Sequence, residues 1–298
     1  MAEFKINGTL NATKGVKTKG TNYILVSAAG TAIENGNEFI VAYNAAVALG
    51  PTDYNRITIV ASPGYYEFQG ADFEMAEPWV DLVSLDGNRS IKIIGSYTIS
   101  VTTNDIYANG IDTGALPFKV AGDLPGVTIE NCKGGDYSFG FGDGEAIVVS
   151  SKFIDCEASN YSFGYTTGKS NSANASGTFI RCTSGDYSFG SGDQSDANGI
   201  FIDCTAGNYS FGTGPNGVAS GQFTRCVAGT FSFGDTDASG VFMYCQGGDS
   251  SFGGNAGAAA ITGKLYYCRK TEGDFTTVTS PPGLIRLSID GTNTEVNA

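Results

Sequence analysis

Along residues 127 to 270 apolar and polar positions alternate in very short runs, and the pattern restarts every twenty-odd residues. Phe153-Ile-Asp-Cys156 returns as Phe179-Ile-Arg-Cys182, Phe201-Ile-Asp-Cys204, Phe223-Thr-Arg-Cys226 and Phe242-Met-Tyr-Cys245. Downstream, Asp136-Tyr-Ser-Phe-Gly140 is echoed from Asn160, Asp186 and Asn208, then more loosely in Thr230-Phe-Ser-Phe-Gly234 and Asp249-Ser-Ser-Phe-Gly253. Upstream, Ala175-Ser-Gly177 returns as Ala197-Asn-Gly199, Ala219-Ser-Gly221 and Ala238-Ser-Gly240. Runs such as Gly199-Ile-Phe-Ile-Asp-Cys204 are β-branched and aromatic between glycines, which predicts short strands broken by turns. No stretch of the repeat carries a helical period.

The cysteines Cys132, Cys156, Cys182, Cys204, Cys226, Cys245 and Cys268 are spaced by 24, 26, 22, 22, 19 and 23 residues. That period is too short for paired-helix repeats and fits a leucine-rich repeat or one coil of a parallel β-helix. Leucine is scarce, so the β-helix is expected. Equivalent residues then stack about 4.8 Å apart, on their own copies. The column three before cysteine is Ile129, Phe153, Phe179, Phe201, Phe223, Phe242 and Leu265. A second column is Phe139, Phe163, Phe189, Phe211, Phe233 and Phe252. Both, with the cysteines, are expected inside; Tyr137, Tyr161, Tyr187 and Tyr209 fit either the interior or a corner. The column just before cysteine, Asn131, Asp155, Arg181, Asp203, Arg225, Tyr244 and Tyr267, alternates in sign over four members. Like charges cannot stack on one another, so this column should face outward. Loops of varying length, longest at residues 165–174 and shortest at 235–237, should project from one side.

Residues 38–49 predict a helix with Phe39, Val41, Ala42, Ala45, Ala46 and Leu49 on its apolar face, ended by Gly50-Pro51. A solenoid exposes an apolar cross-section at its first coil, and this helix is read as its cap. The organisation expected is an arm over 1–30, the capping helix over 31–55, irregular first coils over 56–126, regular coils over 127–270, and a terminal strand or docking segment over 271–298.

Val127-Thr-Ile-Glu-Asn-Cys132 resembles a rung of the right-handed parallel β-helix of pectate lyase-like proteins. Ile57-Thr-Ile-Val-Ala-Ser-Pro-Gly64-Tyr65, behind an Ala-rich helix, is similar to the first coils of that superfamily. The resemblance spans roughly residues 38 to 270 and implies an all-β, single-stranded right-handed parallel β-helix. It says little about function, because this fold hosts lyases, hydrolases, adhesins and viral tailspikes. The self-repetition and Gly-rich ends look most like a bacteriophage tail-fibre or tailspike protein.

Chemistry narrows the choice. The 298 residues carry a net charge of −13 and no histidine. The charge argues against nucleic-acid and anionic-membrane partners. Without histidine there is no Ser-His-Asp, Cys-His or His-ligated zinc site. Pectin-cleaving relatives use motifs that are missing or fragmentary here: Ser90-Ile-Lys92 and Asn104-Asp105 stand in the wrong order, and Trp79-Val-Asp81 is followed by Leu82. Loop carboxylates remain as candidates for glycoside chemistry, foremost Asp143, Asp193 and Asp235, with Glu145, Asp196 and Asp237. Their ordinary role is in turns. The column Asp136, Asn160, Asp186, Asn208 offers one oxygen per rung, thin for calcium, so no metal and no cofactor is expected. The cysteines form no CxxC pair and are expected as reduced core thiols.

Residues 1–19 lack the apolar segment of a signal peptide, so a virion protein made in a host cytosol is expected, or otherwise a cytoplasmic or non-classically exported one. The expected function is structural and adhesive: a fibre or spike component, homo-oligomeric with a trimer favoured or bound to other virion proteins, contacting a partner or polysaccharide. A polysaccharide depolymerase and a bacterial carbohydrate-binding adhesin are the alternatives.

Overall fold

The computed structural model describes residues 16–18, 21–143, 145–167, 172–253, 261–271, 284–286, 288–289 and 295–296. The repeating runs become rungs of a parallel β-solenoid whose spine is a 13-stranded sheet. Only its first pair, Val16–Thr18 on Thr21–Val26, is antiparallel. From Thr21–Val26 onward each strand lies parallel to the next, through Ile57–Ala61, Val80–Ser84 and Tyr107–Asn109 into the regular repeats and on to Leu284–Arg286. The solenoid therefore begins before residue 30 and continues past residue 270. Cα register pairs Ile129 with Phe153, Phe153 with Phe179, Phe179 with Phe201, Phe201 with Phe223, Phe223 with Phe242 and Phe242 with Leu265. A second line of parallel pairing, mostly single bridges, climbs from Asp112 through Lys133, Glu157, Thr183, Thr205 and Val227 to Gln246.

Two phenylalanine columns fill the interior. Rings within the Phe153 column stack at 4.7–5.4 Å, and those of the Phe139 column at 4.7–4.9 Å. Between columns the rings meet edge to face, for example Phe189 and Phe201 at 90°. Rung spacing imposes the stacking, and the perpendicular neighbours supply the favoured quadrupole contact. All seven cysteines are buried free thiols. The repeated Ala-x-Gly has a steric cause: a Cβ on Gly199 would sit 2.3 Å from the Gly177 carbonyl oxygen, and one on Gly221 equally close to that of Gly199.

Serine forms a further buried column. Ser138 N donates to Ser162 Oγ, Ser162 N to Ser188 Oγ, Ser188 N to Ser210 Oγ, Ser210 N to Ser232 Oγ and Ser232 N to Ser251 Oγ, at 3.2–3.4 Å. The hydroxyls are fully buried, and each satisfies a backbone donor at a corner where strand pairing lapses.

The helix spans Ala32–Ala48, six residues longer at its start than the pattern predicts. Thr31 and Glu34 form a capping box, with Glu34 N donating to Thr31 Oγ1 and Thr31 N to the Glu34 carboxylate. The weak helix formers Asn35 and Gly36 hide this first turn from a propensity reading. Both are buried, and Gly36 is needed because a Cβ there would meet the Glu67 carbonyl oxygen at 2.1 Å. The buried face also differs from expectation: Phe39, Ala42, Tyr43 and Ala46 point inward, whereas Val41 and Leu49 are exposed. Phe39 packs on the rings of Tyr66, Phe68 and Phe73. Tyr43 Oη accepts the backbone N–H of Ala76 and Glu77. The helix thus covers Gly64–Glu67 and Phe73–Met75, the outermost strands of their two sheets.

Candidate functional site

Each Tyr-Ser-Phe-Gly segment turns one corner of a coil. In one such coil Tyr187 and Phe189 both hold left-handed φ values, 55° and 57°. Such values cost a side chain about 1–2 kcal/mol. The alternation sends phenylalanine and serine inward and leaves tyrosine half-exposed. Tyr137, Tyr161, Tyr187 and Tyr209 accordingly lie at the surface, stacked at 4.9–5.3 Å, with Phe231 continuing the column at 5.0 Å. Stacked along the axis, they present ring edges and hydroxyls outward rather than faces. Burial raises the phenol pKa of Tyr187, with neighbouring tyrosines adding to it.

A second, shorter stack stands beside this column. Phe141 and Tyr165 lie 6.1 Å apart with planes 10° from parallel. Phe141 tilts against Tyr137 at 4.6 Å, and Tyr165 against Tyr161 at 4.7 Å. Tyr165 is also raised in pKa, chiefly by burial. Beyond Tyr165 the column continues as Ser191 and Thr213, in parallel bridges. On the other side, the Phe139 N–H bonds the Phe118 carbonyl, which puts Ala121 on the rung before Phe141. The two-ring stack is bounded by small residues at both ends, and a cavity lies at each end. The first, about 500 Å³, is lined by Phe141, Tyr137, Lys119, Ala121, Pro117 and Asp143, among others. The second, about 220 Å³, is lined by Tyr165, Tyr187, Tyr209, Ser191, Thr213 and Asp193, among others.

The three foremost carboxylate candidates separate accordingly. Asp143 lines the larger cavity and Asp193 the smaller. Each stands two residues past a paired position, Asp143 after Phe141 and Asp193 after Ser191, and those positions lie two rungs apart, roughly 9–10 Å of axial rise. Asp235 lines neither, and its Oδ1 is buried with no hydrogen-bond partner among the described residues. Glu145 is exposed, while Asp237 accepts the Thr262 hydroxyl. Burial pushes the Asp196 carboxyl up, against the opposing hydrogen bond from the Val218 N–H.

The Asp136 column is a backbone device. Asp136 Oδ1 accepts from Asn160 N, Asn160 Oδ1 from Asp186 N, Asp186 Oδ1 from Asn208 N and Asn208 Oδ1 from Thr230 N, at 2.6–2.9 Å. Alternating Asp and Asn keeps like charges off adjacent rungs. Among the described residues no three cysteine or carboxylate side chains are grouped to hold a metal ion. On another corner the alternating column forms outward ion pairs, Arg181 on Asp155 and Arg225 on Asp203, each at 2.6 Å through Nε with a second bond from Nη2. Tyr244 and Tyr267 extend it, stacked at 5.0 Å.

Set against protein-family models, curated proteins and solved structures, the chain finds no match in any of them. No described helix is long and apolar enough to cross a membrane. By its own register the chain is a parallel β-solenoid, with a buried thiol and phenylalanine core and a tyrosine-bearing side that holds two cavities.

Proposed function

We propose that the protein is a structural and adhesive rod, a virion appendage component of the tail-fibre or tailspike kind that contacts a glycan on its tyrosine side. The observation that carries this reading is the run of columns: phenylalanine, cysteine and serine each rest on their own copies through the regular coils, and tyrosine does so from Tyr137 to Tyr209. In such an array each rung touches only its neighbours, so length grows by repetition and stiffness follows from the columns. The 13-stranded spine makes a shaft roughly 5–6 nm long. A rod with an acidic surface and cavities along one side suits display and contact. Within a virion it would stand as a homo-oligomer, with a trimer favoured, or bound to other virion proteins.

Light scattering after size exclusion tests the assembly. A long-lived oligomer that survives dilution is expected, and a monomer at every concentration overturns the assembled rod. Mass spectrometry of purified virions checks the location.

One observation favours a second reading, a polysaccharide depolymerase. Asp143 and Asp193 follow paired positions two rungs apart, and that rise of roughly 9–10 Å is near the roughly 6.5–9.5 Å between carboxyl groups of inverting glycosidases. Asp143→Asn and Asp193→Asn should each abolish sugar release from a cleaved polysaccharide. Release unchanged by both removes that assignment.

A further inference from the structure

The two cavities differ from the rest of the tyrosine side in what they expose. Along the long tyrosine column each ring covers the next. The Phe141–Tyr165 stack is only two rings deep and stops at Ala121 on one side and Ser191 on the other. No ring stacks parallel on either outer face, Tyr187 meeting Tyr165 only edge to face at 6.4 Å and 64°, and each end of the stack borders a cavity. An uncovered aromatic face suits the C–H-rich face of a sugar ring, with the hydroxyls of that ring left to polar groups at the rim. Those groups are present on both sides: Asp143 and Ser100 at the larger cavity, and Asp193 and the Tyr187 and Tyr209 side chains at the smaller.

Charge decides the class of sugar. Among the described residues the only basic side chain lining either cavity is Lys119, and Asp72 holds its ammonium at 2.6 Å. Each cavity carries one carboxylate, on a chain of net charge −13. A uronic, sialic or phosphorylated polymer would bring its anions against Asp143 and Asp193, with no unpaired cation among the described lining residues to meet them. The parallel pairing of Phe141–Gly142 with Tyr165–Thr166 places the two cavities in line with the axis.

We infer that the cavities flanking the Phe141–Tyr165 stack are paired subsites for one linear, uncharged polysaccharide lying along the solenoid axis. One sugar face rests on Phe141 and another on Tyr165, and Asp143 and Asp193 accept hydroxyls at matching positions two rungs apart. This rests on the adhesive reading above and specifies its ligand.

The test is calorimetric titration of the full chain with neutral polymers (dextran, a soluble β-glucan, a mannan) and with acidic ones (alginate, hyaluronan), followed by a length series of the best neutral oligosaccharide. A neutral polymer is expected to bind with little dependence on salt, since no ion pair is involved. Affinity should rise with length until both cavities are spanned, then level off. Tyr165→Ala and Asp193→Asn should each weaken binding about tenfold. Phe141→Ala should weaken long oligosaccharides and spare short ones, while Tyr244→Ala, on another corner, changes nothing. Thermal melts of each variant separate lost binding from lost folding. Preference for the acidic polymers overturns the uncharged class. Neutral binding untouched by all three cavity variants overturns the site and leaves the adhesive reading standing. No binding of either class by the unaltered chain overturns both, and the light-scattering result still judges the rod on its own.

Discussion

The thiol of Cys204 donates to the backbone carbonyl oxygen of Phe179, one turn back, at 3.3 Å. The same relation joins Cys156 to Ile129, Cys182 to Phe153, Cys226 to Phe201 and Cys268 to Phe242. Cysteine is thus a small core residue whose weak donor finds a carbonyl on the turn below.

Buried thiols are poor nucleophiles because burial disfavours the thiolate. The folded protein should resist iodoacetamide at neutral pH, and mass spectrometry should find all seven cysteines alkylated only after denaturation. Rapid labelling of any of them in the folded state contradicts the buried column.

Alkaline pH should unfold the solenoid. Burial pushes the thiols of Cys132 and Cys182 up in the folded state. Their contribution to stability is full below the unfolded thiol value of about 8.5 and is lost as pH rises from there through the folded value. Urea midpoints should fall between about pH 8.5 and 10. A midpoint that stays level across that window, or climbs, contradicts the coupling.

Phe201 lies between Phe179 and Phe223 and meets Phe189 and Phe211 edge on. Phe201→Ala should destabilise by about 3–5 kcal/mol through lost burial and a cavity that neighbouring rungs cannot close. Denaturant melts against Tyr244→Ala, at the surface, give the comparison, and equal shifts for the two would refute the core assignment.

Ser188 accepts from the Ser162 backbone N–H and donates to the Asp186 carbonyl. Ser188→Ala strands a buried donor and should cost about 1–3 kcal/mol, whereas Ser150→Ala, whose half-buried hydroxyl donates to the Asp123 carboxylate, strands no buried backbone donor and should cost less. Hydrogen exchange at the Ser162 amide reads the broken bond directly: its protection should fall in Ser188→Ala and stay intact in Ser150→Ala.

Gly199→Ala would force a Cβ against the Gly177 carbonyl, which belongs to backbone and cannot swing away. A loss of about 1–3 kcal/mol is expected. Gly50→Ala, where the space is open, should cost only the left-handed backbone term of about 1–2 kcal/mol. If the stability loss at Gly199 were no larger than at Gly50, the close-approach account would fail.

The amino-acid order alone determined the solenoid, its period and its interior. When a side chain must rest on its own copy, only types that tolerate self-contact can recur, so columns of Phe153, Phe179 and Phe201 announce stacking, and the Asp155, Arg181, Asp203, Arg225 column announces an outward face. Only the tertiary structure decided what lay outside that logic. The helix start depended on Gly36 touching a strand far along the chain. The role of Ser162 and Ser188 depended on which backbone donors strand pairing left unmet. The Phe141–Tyr165 stack and its cavities arise where the repeat breaks, since Phe141, Tyr165 and Ser191 share a column only once the register between coils is set. Side chains that repeat are legible in one dimension; an opening formed by the absence of a neighbour exists only in three.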